Sequence, residues 1–223
     1  MIRFLILIGF ILVHNNCTKS DDTPVEIDYD FILAGVSDSA NYIQINDTIT
    51  SDNWHTIYKL DINNDAINDF EFVSKSHVDQ GGMGGDFSSS IHGINNTEIM
   101  VGITKRLIYT YTDTQLSDST HVLDTLINST DEIIPIILSQ HDIVDSNGVW
   151  LKDSEIKFCH TWTGFSYEPP LVTFNRGYLY GWSNLENKYL GFRTITANDS
   201  IYGWINIKID GFTKINIINA AYR

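Results

Sequence analysis

Short runs of β-branched and aromatic residues, alternating with polar ones, recur along almost the whole chain, and clusters of Asn, Asp, Ser and Gly break them at close intervals. Period-2 alternation suits a strand with one face in a core and the other in water, and no helix satisfies it. In Arg106 to Thr112, the side chains of Leu107, Tyr109 and Tyr111 share one face. In Tyr202 to Ile209, Gly203, Ile205, Ile207 and Ile209 lie opposite Trp204, Asn206 and Lys208. Further strands are expected at Ile27–Val36, Tyr42–Ile45, His55–Leu60, Asp69–Ser74, Glu98–Ile103, Val122–Ile127, Gly148–Leu151, Glu155–Trp162, Leu171–Tyr180, Lys188–Thr196 and Thr213–Ile218. The pattern predicts an all-β chain, an antiparallel, jelly-roll-like β-sandwich of about twelve short strands. Pro135 interrupts Asp131–Gln140, which leaves room for at most a short helical turn there. Gln80 to Ser90 carries four glycines in five residues, at 81, 82, 84 and 85. It reads as a flexible loop, since no Lys and no helix follow as a phosphate cradle requires.

Composition narrows the function classes. The 223 residues carry 14 Lys+Arg against 28 Asp+Glu, a formal charge of −14. Nucleic acid is a poor partner for such a surface, because phosphate binding needs clustered cations. At 43% apolar the chain is too hydrophobic to stay disordered. Two cysteines make neither a disulfide scaffold nor a four-thiolate zinc site.

The chain opens MIRFLILIGFILVHNNC, with Arg3 before an uncharged apolar run from Phe4 to Val13. As a helix that run spans roughly 15 Å, about half a hydrocarbon core, so it reads as an export signal rather than a transmembrane span. A short apolar run ending in a single Cys resembles a bacterial lipoprotein signal. The resemblance implies cleavage before Cys17 and acylation of its sulfur. His14, Asn15 and Asn16 depart from the small residues usual before that Cys. Thr18-Lys19-Ser20-Asp21-Asp22 resembles the acidic export signal of Bacteroidetes-type surface lipoproteins. The expected organisation is a signal peptide over 1–16, a tether over 17–25 and one β-sandwich domain over 26–223. The expected location is the outer membrane, facing the cell surface and held there only through the N-terminal lipid; a periplasmic or secreted protein is the alternative. Cleavage removes Arg3 and takes the charge from −14 to −15. Cys159 then has no partner in the chain and reads as a small buried hydrophobe.

The strongest chemical motif is Asp61-Ile62-Asn63-Asn64-Asp65-Ala66-Ile67-Asn68-Asp69. Asp61, Asn63, Asp65 and Asp69 place side-chain oxygens at loop positions 1, 3, 5 and 9, and position 7 offers the carbonyl of Ile67. Calcium takes six to eight hard oxygens in flexible geometry, so this spacing suits Ca2+. It resembles calcium loops of the D-x-[DN]-x-D-G-x-x-D kind. Ala66 stands where those loops have Gly, Phe72 stands where an EF-hand has its bidentate Glu, and the flanks are strand-like. The motif therefore fits a structural loop between two strands, with an Asx-rich turn as the metal-free alternative. Together with a Gly191-Phe192-Arg193 to Tyr202-Gly203-Trp204-Ile205 segment, the chain resembles uncharacterised secreted Bacteroidetes-type proteins; that likeness lends no activity.

No catalytic residue is assigned. The histidines at 55, 77, 92, 121, 141 and 160 lack metal-ligand spacing, and Gly164-Phe165-Ser166-Tyr167-Glu168 lacks the second Gly of a nucleophile elbow. Glu155, Glu168 and Glu186 stand among aromatics and keep an extracellular glycan-active hydrolase as an alternative. Trp162, Tyr167, Tyr178, Tyr180 and Trp182 form either a stacking platform for a glycan ligand or part of the core. Asp-Ser/Thr triplets place candidate O-glycosylation acceptors at Ser39, Thr48, Ser119, Thr125 and Ser200, in a pattern that also marks turn-to-strand entry. The expected function is a non-catalytic binding or adhesion module with a glycan or protein ligand; a purely structural envelope protein is the remaining alternative.

Overall fold

The computed structural model describes residues 30–38, 40–51, 54–79, 84–116, 120–168, 171–197 and 199–223. The signal, the tether, Cys17, Ser39, Ser119 and residues 80–83 of the glycine-rich segment lie outside them. The described residues form no helix and fourteen strands. These are β1 (Phe31–Leu33), β2 (Asn41–Ile49), β3 (Trp54–Leu60), β4 (Phe70–Val78), β5 (Gly85–Gly93), β6 (Thr97–Leu116) and β7 (Thr120–Pro135), followed by β8 (Ile143–Asp145), β9 (Trp150–Leu151), β10 (Glu155–Glu168), β11 (Leu171–Leu179), β12 (Lys188–Ile195), β13 (Ser200–Asp210) and β14 (Lys214–Tyr222). Strands β1 and β8 pair by themselves, and the other twelve make one antiparallel sheet ordered β2-β14-β13-β12-β6-β11-β10-β5-β4-β3, with β7 and β9 also on β6.

That sheet bends round until its ends approach: the Tyr58 hydroxyl on β3 donates to Asp47 on β2. Strand β6 makes the bend possible. Its first residues pair with β12 through Thr97–Ile99, and its later ones pair with β11 through Leu107–Thr114. One 20-residue strand thus belongs to both walls of a nearly closed barrel-like sheet. The all-β antiparallel reading holds, while the expected boundary between Ile103 and Arg106 does not exist. Lys105 and Arg106 stay inside the strand because they pair with Asp131 and Glu132 on β7, the latter at 3.0 Å.

The core fills the space between the walls. Phe70 meets Phe192 edge-on at 5.1 Å, Phe72 stacks on Phe158 at 6.3 Å, and Phe158 meets Trp182 edge-on at 5.5 Å. Ile205, Ile207 and Ile209 point into this core, as the alternation predicts. The opposite side of β13 is buried too, because the β1–β8 pair covers Trp204 and Tyr202. The Trp204 indole N–H donates to the Val36 carbonyl at 3.1 Å. Gly203 is required by packing: a Cβ there would lie 2.1 Å from the Phe192 ring.

Two expectations are corrected. Residues 85–90 are not loop but the start of β5, where Ser88, Ser89 and Ser90 are buried. Serine tolerates that burial because its hydroxyl finds a partner: Ser90 donates to Glu155 at 2.6 Å, and Ser89 lies 3.2 Å from the Cys159 sulfur. Residues 131–135 form no helical turn but complete β7; Pro135 sits at its last position and uses its carbonyl to accept from the Trp182 indole at 2.8 Å.

Candidate functional site

The aromatic residues sort by strand register. Residues directly opposite each other share a face, and alternate residues return to it. Phe165 pairs with Phe174, and Phe174 with Tyr111; Thr163 pairs with Arg176, and Arg176 with Tyr109; Thr161 pairs with Tyr178 and with Phe87. All of these therefore stand on one face, and Tyr167 joins them two residues beyond Phe165. It is the same face of β4 and β5 that presents Phe72 and Ile91 to the core.

The core stops at the turn between β13 and β14. There Ser74 donates to the Thr213 carbonyl, the Cys159 thiol lies 3.6 Å from the Phe212 carbonyl, and Tyr180 packs on Phe212 at 6.1 Å. Past that turn the inner face carries on, and no strand of the described residues packs across it. It holds a cavity of about 630 Å³ walled by Val78, Phe87, Tyr111, Thr163, Phe174 and Arg176. On the same face Tyr178 and Tyr180 lie parallel at 5.3 Å, with 1° between their planes, and Tyr109 and Tyr111 are parallel within 10° at 6.3 Å. Tyr180 is 52% exposed and Tyr167 63%. Burial, Tyr178 and Tyr109 push the Tyr180 phenol above its ordinary pKa.

Of the five residues proposed from sequence as a platform, Tyr167, Tyr178 and Tyr180 are on this face. Trp182 is fully buried in the core and can meet no ligand. Trp162 stands on the opposite face of β10, with its indole lying across Gly177, where a Cβ would fall 2.1 Å from the ring nitrogen. Trp162 and Tyr167 are an odd number of residues apart on one strand, which already forbids a shared face. Phe87, Tyr109, Tyr111, Phe165, Phe174 and Arg176 complete the surface and were not singled out. The alternation of Leu107, Tyr109 and Tyr111 was the signal available for two of them.

The Asp61–Asp69 loop joins β3 to β4. The carboxylate of Asp61 accepts from the Ala66 amide at 2.7 Å and the Asp65 amide at 3.3 Å; Asn63 accepts from the Asp65 amide at 3.0 Å, and Asp65 from the Ile67 amide at 2.8 Å. Ala66 takes φ of 68°, the left-handed conformation for which the missing Gly would be suited. Asp69 is buried and accepts from the Ile62 amide at 2.8 Å. Burial drives its carboxyl above the ordinary Asp range, and the charges of Asp65 and Asp61 add to the rise. Among the described residues no three His, Cys, Asp or Glu converge as a metal cluster by themselves. The side chains of Asp61, Asn63 and Asp65 instead accept from the loop's own amides, as in an Asx-rich turn.

Other candidate groups are committed elsewhere. Glu155 is exposed; its partial desolvation alone would raise its pKa, but the hydrogen bonds from Ser90 and Lys75 hold it below the usual value. Glu186 pairs with Lys208 at 2.9 Å. The side chain of Glu168 lies outside the described residues. Thr48 on β2 donates to Asn216 at 3.0 Å, Thr125 is exposed in the middle of β7, and Ser200 opens β13. Cys159 is buried and its thiol is pushed up to about 11 by desolvation, which leaves it no nucleophilic character. No protein-family model, curated protein or solved structure matches the chain.

Proposed function

We propose that this is an exported, lipid-anchored binding module of the cell envelope, whose ligand is a saccharide held on the open inner face, and whose β3–β4 loop is pinned by calcium. The carrying observation is the pair of parallel tyrosines, half-buried Tyr178 and exposed Tyr180, beside a concave wall of further rings. Contiguous exposed apolar surface rimmed by polar groups marks an interaction site. Flat rings set parallel suit the apolar faces of pyranoses, and each stacked ring contributes on the order of 0.5–1.5 kcal/mol beyond its buried area. The Lys-free apolar start and Cys17 support export and anchoring. The raised Asp69 carboxyl beside Asp61 and Asp65 supports the cation.

The test is an array of neutral and acidic saccharides probed with the full chain. Capture of at least one class, lost in a Tyr178→Ala/Tyr180→Ala variant that still unfolds cooperatively, is the expected result. No capture, or capture that the double variant keeps, would overturn the reading.

A further inference from the structure

Acids outnumber bases two to one in this chain, so a basic side chain has carboxylates within easy reach. The cations of the described residues mostly use them. Lys59 pairs with Glu71, Lys75 with Glu155, Arg106 with Glu132, Arg193 with Glu98, Lys208 with Glu186, and Lys214 with Asp210. Arg176 departs from this, as do Lys152, Lys157 and Lys188, but among these it alone lines the cavity. It is exposed at the wall of the 630 Å³ cavity, and no described carboxylate pairs with it. Its guanidinium instead stands 5.6 Å from the centre of the Tyr178 ring. The ring positions the group without neutralising it, since a cation over an aromatic face keeps its charge and its outward N–H donors. Thr163 lies directly opposite Arg176 in the register, on the same face, and lines the same cavity. The other walls named above, Val78, Phe87, Tyr111 and Phe174, present rings and an aliphatic group.

We infer that the ligand of this face is an acidic saccharide, with one carboxylate received by Arg176 and Thr163 and its sugar rings against the tyrosines. The inference rests on the binding-module reading and sharpens it to a charge class. A planar guanidinium matches a carboxylate with two parallel N–H donors, and the Thr163 hydroxyl can donate to the same group. The charge complementarity is local. The carboxylate of Asp79, against the cavity-lining Gly84, lies 3.0 Å from His77, and at physiological ionic strength repulsion from charges beyond about 8 Å is screened, so Arg176 is the cation a ligand meets at the cavity wall. Arg176 is then the residue that decides specificity, and the tyrosines supply contact area common to neutral and acidic sugars.

The experiment titrates the full chain with two matched pairs: trigalacturonate against its methyl ester, and sialyllactose against lactose. The expected result is that the acid binds at least tenfold tighter than its neutral counterpart in one pair. Arg176→Gln brings the affinity for the acid down to that for its neutral counterpart, and Arg176→Lys restores part of the difference. The position is exposed, so the melting temperature of both variants stays within about 1–2 °C of the parent, consistent with surface substitutions. Equal binding of acid and neutral members, or a preference that survives Arg176→Gln, overturns the acidic class and leaves the binding module standing. No binding by any of the four sugars overturns both.

Discussion

Trp182 separates a core role from a ligand role most sharply. Its side chain is fully buried, it meets Phe158 edge-on at 5.5 Å, and its indole N–H donates to the Pro135 carbonyl at 2.8 Å. Trp182→Ala removes the largest class of side chain from a close-packed interior and leaves a cavity, a loss of about 3–5 kcal/mol. For a chain of this size each kcal/mol moves the melting temperature by about 2–4 °C, so the fall is roughly 6–20 °C. Trp182→Phe keeps a ring against Phe158 but strands the Pro135 carbonyl without its donor, which costs about 1–3 kcal/mol for a buried acceptor. Urea unfolding followed by far-ultraviolet circular dichroism gives both numbers, and the two variants should rank Ala below Phe below parent. Saccharide capture, measured below the transition, is unchanged in Trp182→Phe. A variant that unfolds with the parent yet loses capture would refute the placement of Trp182 in the core.

Four further outcomes follow from particular residues. Calcium at a hundredfold its dissociation constant raises stability by about 2.7 kcal/mol, chelator reverses this, and Asp61→Ala/Asp65→Ala abolishes it; an equal shift in that variant rejects the loop as the site. Ala66→Gly relieves a left-handed alanine and stabilises the chain by about 0.5–1 kcal/mol, whereas a loss of stability would contradict the strain argument. Cys159 and Tyr58 are pushed up, to about 11 and about 12, first by burial, so the unfolded chain ionises before the folded one. Stability is therefore complete below about pH 9 and declines from there to about pH 12; a flat profile across that range contradicts the burial of both groups. Cys17→Ser abolishes partitioning of the protein into a detergent phase, and continued partitioning of that variant rejects lipidation.

Much of the fold was legible because alternation survives in most strands. Gly203, Ile205, Ile207 and Ile209 do share the core face, and Leu107, Tyr109 and Tyr111 do share another. The misses have physical causes. Lys105 and Arg106 resemble a break between strands, but cross-strand acids let two charges sit within a long one. Ser89 and Ser90 look like loop residues, yet paired hydroxyls let them line a strand next to the core. The covering of Trp204 by β1 and β8 is a tertiary event that no local pattern announces. The aromatic inner face was half legible. Tyr178 and Tyr180 differ by two and predict a shared side, but joining them to Tyr109, Tyr111 and Phe174 needs the β6–β11 register. Arg176 carried no signal at all, because an unpaired cation is defined by which carboxylates the fold keeps away. In the Asp61–Asp69 loop, by contrast, the spacing marked a tight turn, and Ala66 adopts the positive φ that its position calls for.

The most direct test of the central claim is tyrosine-selective NMR during titration with the saccharide that binds. Ring signals of Tyr109, Tyr111, Tyr178 and Tyr180 should shift together and saturate with one affinity, while those of Tyr42, Tyr58 and Tyr202 stay in place. Shifts confined to the second group, with the inner-face rings unmoved at saturation, would contradict it.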